Sequence, residues 1–171
     1  MKLTEFLTIE NIRQGALISS KKRALELVGK IIAESLNKSC GCEENEGLCP
    51  IECFGNLFKR EKLGSTSLNH GIALPHAKLP NSSTLSLGKP IAVFVQLETP
   101  IDYEANDNKE VDLIYAVMFP EGSCEKYKDC LHHIAQRLSD KTLIKQLRSA
   151  ESAEEIWQLL EYADNQVIEQ D

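Results

Sequence analysis

Apolar residues at Ala24, Leu25, Leu27, Val28, Ile31, Ile32 and Leu36 recur at helical spacing behind Ser20. That spacing predicts a helix over Lys21–Leu36 with one buried stripe and Ser20 as its N-cap. Ahead of it, Thr8–Ile18 is weakly patterned and reads as a short helix followed by a strand over Gly15-Ala16-Leu17-Ile18. Pro50 opens a second helix, Ile51–Lys62, with Cys53, Phe54, Leu57 and Phe58 inward and Gly64 ending it. Gly71–Leu74 reads as a short strand stopped by Pro75. Ile91–Leu97 and Val111–Phe119 are continuous apolar runs rich in β-branched residues, the mark of strands covered on both faces. Pro100 and the Asn106-Asp107-Asn108 cluster place a turn region between them. Helical spacing returns over Tyr127–Leu138, Lys141–Leu147 and Ser152–Tyr162, the last opened by a Ser152-x-x-Glu155 capping box. Strands mixed with helices of this length predict an α/β sandwich around a small mixed sheet. No segment repeats and no linker divides the chain, so residues 1–171 read as a single domain.

Composition narrows the function classes. Nineteen basic against 26 acidic residues give a net charge of −7, and the basic residues are dispersed, which argues against a nucleic-acid partner. No apolar run approaches the roughly 20 residues that span a bilayer, so no membrane insertion is expected. The first residues, MKLTEFLTIENIRQG, carry acids where a signal peptide needs a basic region and an apolar stretch, and a cytoplasmic protein is the default. Four of the six cysteines fall within Cys40–Cys53. Four thiolates can make a tetrahedral zinc shell, but C-x-C followed by C-x-x-x-C lacks paired-knuckle spacing. The intervening Glu43, Glu44 and Glu46 read as an acidic loop with incidental thiols. No metal and no cofactor is expected. A P-loop, a G-x-G-x-x-G and a G-x-S-x-G elbow are all missing from the sequence, which leaves nucleotide binding and serine hydrolysis without support.

The chemistry concentrates at Gly64–Lys78, GSTSLNHGIALPHAK. Pro75 fixes its own φ and pushes Leu74 into an extended conformation, so His76 is delivered on a stiff backbone. Ser65, Thr66, Ser67 and Asn69 cluster ahead of it. A stiffly held imidazole beside hydroxyls and free N–H groups suits a phosphoryl acceptor; a buried histidine satisfied by its neighbours fits the same pattern. A phosphoryl group brings about two negative charges and calls for N–H donors, hydroxyls and an arginine. Arg60, one turn before the Gly-Ser-Thr turn, can serve; the alternative is a solvated charge in Lys59-Arg60-Glu61-Lys62. His70 reads as a turn residue, and His132 and His133 as helix positions of which at most one faces inward.

REKLGSTSLNHGIALPHAK resembles the REx(M/L)GST…NGxAIPHxK signature of type-2 (mannitol/fructose-class) enzyme IIA domains of the bacterial phosphotransferase system. The runs AVFVQLETPIDYEANDNKEVDLIYAVMFP and AQRLSDKTLIKQLRSAESAEEIWQLL continue the match and look closest to the stand-alone nitrogen-regulatory branch. The resemblance covers about Leu7–Leu160. It implies a three-layer sandwich, a mixed sheet with helices on both faces. It also implies phosphorylation of His76 on Nε2 by a phosphohistidine carrier protein of the HPr or NPr kind, with Arg60 beside the phosphate and Ser65-Thr66 as the turn. Phosphorylation state would then control a protein partner such as a potassium transporter or a sensor kinase. Two departures stand out. Tyr127 occupies the place where many relatives carry a second pocket histidine, and the acidic cysteine loop Ser39–Leu48 is insertion-like. Two further readings stay open: a sugar-specific enzyme IIA passing phosphate to a IIB subunit, and a binding module whose phosphorylation is vestigial.

Overall fold

The computed structural model describes residues 2–40, 49–80, 89–120 and 127–170. Ten main elements follow one another in the chain: β1 (Ile12–Ala16), α1 (Lys21–Cys40), α2 (Pro50–Glu61), β2 (Ile72–Ala73), β3 (His76–Lys78), β4 (Ile91–Ile101), β5 (Val111–Phe119), α3 (Lys128–Arg137), α4 (Lys141–Ser149) and α5 (Ala153–Gln170). A short 3-10 turn, Ile9–Asn11, leads into β1. The five strands form one mixed sheet in the order β1-β4-β5-β2, with β3 also pairing β5. β4 and β5 run antiparallel, while β1 lies parallel to β4, and β2 and β3 lie parallel to β5.

The continuous apolar runs have the cause the pattern suggests. Along β4 and β5, Val93, Val95, Leu97, Ile114, Ala116 and Met118 face a core shared with α1 and α2. The alternate residues Ala92, Phe94, Leu113, Tyr115 and Val117 face a second core built with α3, α4 and α5. Each strand is therefore buried on both faces, and the molecule is an α/β sandwich of three layers. Helix starts follow local chemistry: the Arg23 N–H donates to Ser20 Oγ at 3.2 Å, Asp140 accepts from the N–H groups of Thr142 and Leu143, and the Glu155 N–H donates to Ser152 Oγ at 3.1 Å. The Glu155 carboxylate reaches back to the N–H of Glu151, one residue earlier than a strict capping box places it.

Several element boundaries differ from expectation. The first strand is Ile12–Ala16 rather than Gly15–Ile18; Ile12 is buried opposite Phe94, whereas Leu17 is 81% exposed. Gly15, at φ +67°, sits where the β1–β4 register shifts, so the strand ends in a bulge just where the apolar tetrad begins. β4 continues through Pro100 to Ile101; β1 pairs only as far as Leu97, so the proline costs no ladder bond on that side. The strand ahead of Pro75 ends at Ala73 as expected, but pairing with β5 resumes directly beyond it as β3, and the Val117 N–H donates to the Pro75 carbonyl at 3.0 Å. The first helix extends through Ser39 and Cys40, while residues 41–48 of the cysteine loop lie outside the described residues. Of its thiols, Cys49 precedes α2, and Cys53 is buried in the α1–α2 core, where burial pushes its pKa up to about 12. At neutral pH Cys53 is a protonated core side chain rather than a thiolate.

Candidate functional site

His76 opens β3 at the outer side of the sheet, and the residues around it come from four elements. Asn56, Lys59 and Arg60 project from α2 and Leu63 follows it, Ala77 and Lys78 continue the strand, and Phe119, Lys128 and Leu131 close the far wall. Together they line a groove of about 480 Å³. Lys59, Lys78 and Lys128 are exposed, and Leu63 is 84% exposed. A protein of net charge −7 thus surrounds this one histidine with four cations and a solvent-facing leucine.

The backbone before His76 decides the ring's chemistry. Leu74 donates its N–H to the Thr66 carbonyl at 2.9 Å, and its carbonyl lies 2.9 Å from His76 Nδ1. In the neutral ring the proton therefore sits on Nδ1, donating to Leu74, and the Nε2 lone pair is bare. Burial lowers the His76 pKa below the ordinary 6.5, and the Arg60 charge lowers it further; the Leu74 hydrogen bond and the Glu61 charge act in the opposite direction. The half-buried ring is thus held neutral, oriented and nucleophilic at one nitrogen.

The turn beside it is built from the hydroxyl residues. Thr66–Leu68 folds back antiparallel on β2, with the Leu68 N–H donating to the Ile72 carbonyl at 2.7 Å and Ser67 bridging Ala73. Left-handed conformations at His70 (φ +71°) and Gly71 (φ +81°) reverse the chain between them. The His70 carbonyl accepts from Arg148, which also grips Asp112 at 2.8 Å. Arg60 Nη1 donates to the Gly64 carbonyl at 3.0 Å, tying the helix end to the turn. Ser65 is half-buried, its Oγ 3.2 Å from Ser67 Oγ and accepting the Ser67 N–H at 3.3 Å.

The structure brings His76 and Arg60 into one groove and sets Ser65 and Thr66 on the adjoining turn. Thr66 is only 6% exposed, and both its N–H and its hydroxyl are engaged by Glu61. Tyr127 caps α3 and stacks on Phe119, ring centroids 4.9 Å apart, with Phe6 edge-on at 6.5 Å. It stands behind the groove's Phe119 wall rather than among the lining residues. His132 and His133 are both exposed on α3. Sequence reasoning missed Lys78, Lys128 and Glu61. Lys78, two residues along the strand from His76, was findable by strand period. Glu61 continues the Cys53–Leu57 stripe at four-residue spacing, and an acid on an apolar stripe is a signal in itself.

A sheet edge that presents an oriented, neutral histidine beside an arginine and lysines has the chemistry that a phosphoryl acceptor requires. The family model for the phosphoenolpyruvate-dependent sugar phosphotransferase system, EIIA 2, matches residues 5–163, and the chain belongs to that family. Within it, the chain is 50% identical over 164 residues to a nitrogen regulatory protein homolog of Haemophilus influenzae, covering 96% of this chain and 93% of that protein. It is 38% identical over 160 residues to the nitrogen regulatory protein of Escherichia coli K12, covering 94% and 90% respectively. The crystal structure of the nitrogen regulatory protein IIA-Ntr from Neisseria meningitidis superposes with a TM-score of 0.77 at 28% identity, covering 92% of this chain and 98% of that one. The crystal structure of mannitol IIA from Escherichia coli shares the fold, with a TM-score of 0.66. Among the described residues no helix is long and apolar enough to cross a membrane.

Proposed function

We propose that this protein is a phosphoryl-carrier regulator of the nitrogen-type phosphotransferase system, working in the cytoplasm. It accepts phosphate on His76 Nε2 from a phosphohistidine carrier of the HPr or NPr kind. Its phosphorylation state then governs binding to a protein partner such as a transporter or a sensor kinase. The single observation that carries the reading is the His76 Nδ1–Leu74 carbonyl contact of 2.9 Å, which leaves Nε2 as the free nucleophile in a groove lined by Arg60 and three lysines. The names of the relatives support the regulatory role.

The transfer balances without a proton moving. The Nε2 lone pair attacks phosphorus, the P–N bond to the carrier's histidine breaks, and that electron pair stays on the carrier's ring nitrogen. The Nδ1 proton remains on its Leu74 tether, which stabilises the positive charge that the phosphorylated ring takes on. Arg60 and the groove lysines meet the phosphoryl oxygens as charge builds on them.

Incubation with phosphoenolpyruvate, enzyme I and the carrier protein is expected to give an acid-labile phosphoprotein with its label on His76. His76→Ala is expected to remain unlabelled. Label persisting in that variant sinks the site assignment; efficient onward transfer to a IIB subunit, with no phosphorylation-dependent regulatory binding, replaces the regulatory reading with the sugar-transport one.

A further inference from the structure

Next to Arg60 in the sequence lies a buried charge that phosphoryl chemistry does not touch directly. Glu61, 7% exposed, ends α2 on its inward face. A buried carboxylate is costly unless its oxygens are met by donors and its charge by a cation. Both conditions hold. Oε2 pairs with Lys21 Nζ at 2.8 Å and accepts the Thr66 N–H at 3.2 Å. Oε1 accepts the Tyr103 hydroxyl at 3.1 Å and the Thr66 hydroxyl. Lys21 Nζ also sits 4.5 Å from the centre of the Tyr103 ring.

Lys21 Nζ and the Thr66 N–H can only donate, and the Tyr103 and Thr66 hydroxyls donate here as well, so a carboxylate fits this cage with every contact met and Lys21 as its counter-charge. The cage ties four parts of the chain: the start of α1, the end of α2 carrying Arg60, the segment after β4, and the Ser65-Thr66 turn. The Thr66 carbonyl, in turn, holds the Leu74 N–H, and the Leu74 carbonyl holds the His76 ring. Glu61 thus stands at the head of a chain of bonds that ends on the nucleophile. It is also an anion whose field reaches a ring about to receive phosphate.

We propose that Glu61 is a positioning residue for phosphoryl transfer at His76, and that Lys21 is the counter-ion that keeps this buried anion from opposing the incoming phosphoryl group. The inference rests on His76 being the phosphoryl acceptor. Neither Glu61 nor Lys21 lines the groove, so both act through the turn and through their field.

The test uses the full chain with Glu61→Gln, Lys21→Met and Lys21→Arg. One readout is the NMR titration of the His76 imidazole without phosphate; the other is kcat and KM for transfer from the phosphorylated carrier. Lys21→Met unscreens the anion and is expected to raise the His76 pKa, while Glu61→Gln is expected to lower it further. Each is expected to cut kcat by about ten- to a hundredfold, with KM held within about twofold because the docking groove is intact. Lys21→Arg is expected to restore both readouts. Equal rate losses with no opposite pKa shifts reduce the cage to packing and overturn the proposal, as does a Lys21→Met variant with wild-type rate and titration. If Glu61→Gln does not fold, the two Lys21 variants decide alone. If the wild type takes no phosphate on His76, the functional reading falls while the titrations still decide whether the field exists.

Discussion

Burial and the Arg60 charge both act against protonation of His76, so the pH dependence of the site is displaced from that of an ordinary histidine. Phosphoryl acceptance, which needs the neutral ring, is expected to persist as pH falls through 6.5 and to decline only below it; quenched-flow labelling at a series of pH values reads this directly. Stability follows the same shift. The unfolded chain protonates this histidine at its ordinary pKa and the folded chain only at a lower pH, so between the two values the unfolded state binds more protons. Stability is therefore lost as pH falls through that window and is flat above it. His76→Asn is expected to remove this slope from denaturant midpoints measured against pH. Arg60→Gln is expected to raise the His76 pKa and to slow transfer by about a hundredfold, with Arg60→Lys a poor rescue because one arm of the guanidinium fork already holds Gly64. His76 was legible in the sequence because proline and small hydroxyl residues flag it. Glu61 was hidden by its neighbours, since Lys59-Arg60-Glu61-Lys62 reads as a solvated charge run until the helix is given a buried face.

At the scale of elements, α2 is the piece that carries Arg60 and Glu61, and its seat on α1 is tight. A Cβ at Gly29 would lie 2.9 Å from the Phe54 backbone nitrogen and 3.0 Å from the Pro50 carbonyl oxygen. Alanine raises helix propensity at an ordinary helical glycine by about 1 kcal/mol. Gly29→Ala is nevertheless expected to destabilise the protein by about 1–3 kcal/mol, because two backbones must separate. The same displacement moves Arg60, so transfer is expected to slow as well; urea denaturation and single-turnover labling check the two effects separately. Helix existence was readable from period, down to the caps at Ser20 and Ser152. The end of β4 and the division between β2 and β3 were not, because both depend on where a partner strand stops: Pro100 is tolerated once β1 has ended, and strand pairing with β5 resumes beyond Pro75.

Across the whole molecule, the two cores on either face of the sheet are fastened differently. The α3–α5 side holds a buried carboxylate of its own: Asp164 accepts the N–H groups of Leu3 and Thr4 at 2.6 and 3.1 Å and pairs with Arg137 at 2.8 Å. Asp164→Ala leaves Arg137 and two amides unmet and is expected to cost about 3–5 kcal/mol, seen as a lowered denaturant midpoint. Transfer at His76 per folded molecule is expected to be unchanged, since none of these residues lines the groove. The α/β sandwich around a mixed sheet was legible from the order of apolar runs and helices, and its three layers from the family resemblance. The groove was not, because its lysines come from α2, β3 and α3 and meet only after folding. One consequence of the sheet's outline concerns how other proteins can hold on to it. On one border the ladder is bent by Gly15; on the other the chain's own Thr66–Leu68 covers β2, and the Asn56 side-chain amide donates to the Lys78 carbonyl of β3 at 3.0 Å. Among the described residues, neither border offers a straight row of open amides for a visiting strand to join. A regulatory partner of the kind proposed is therefore expected to read a mosaic of side chains and charge around His76, with a grip that changes with phosphate and salt rather than with backbone pairing.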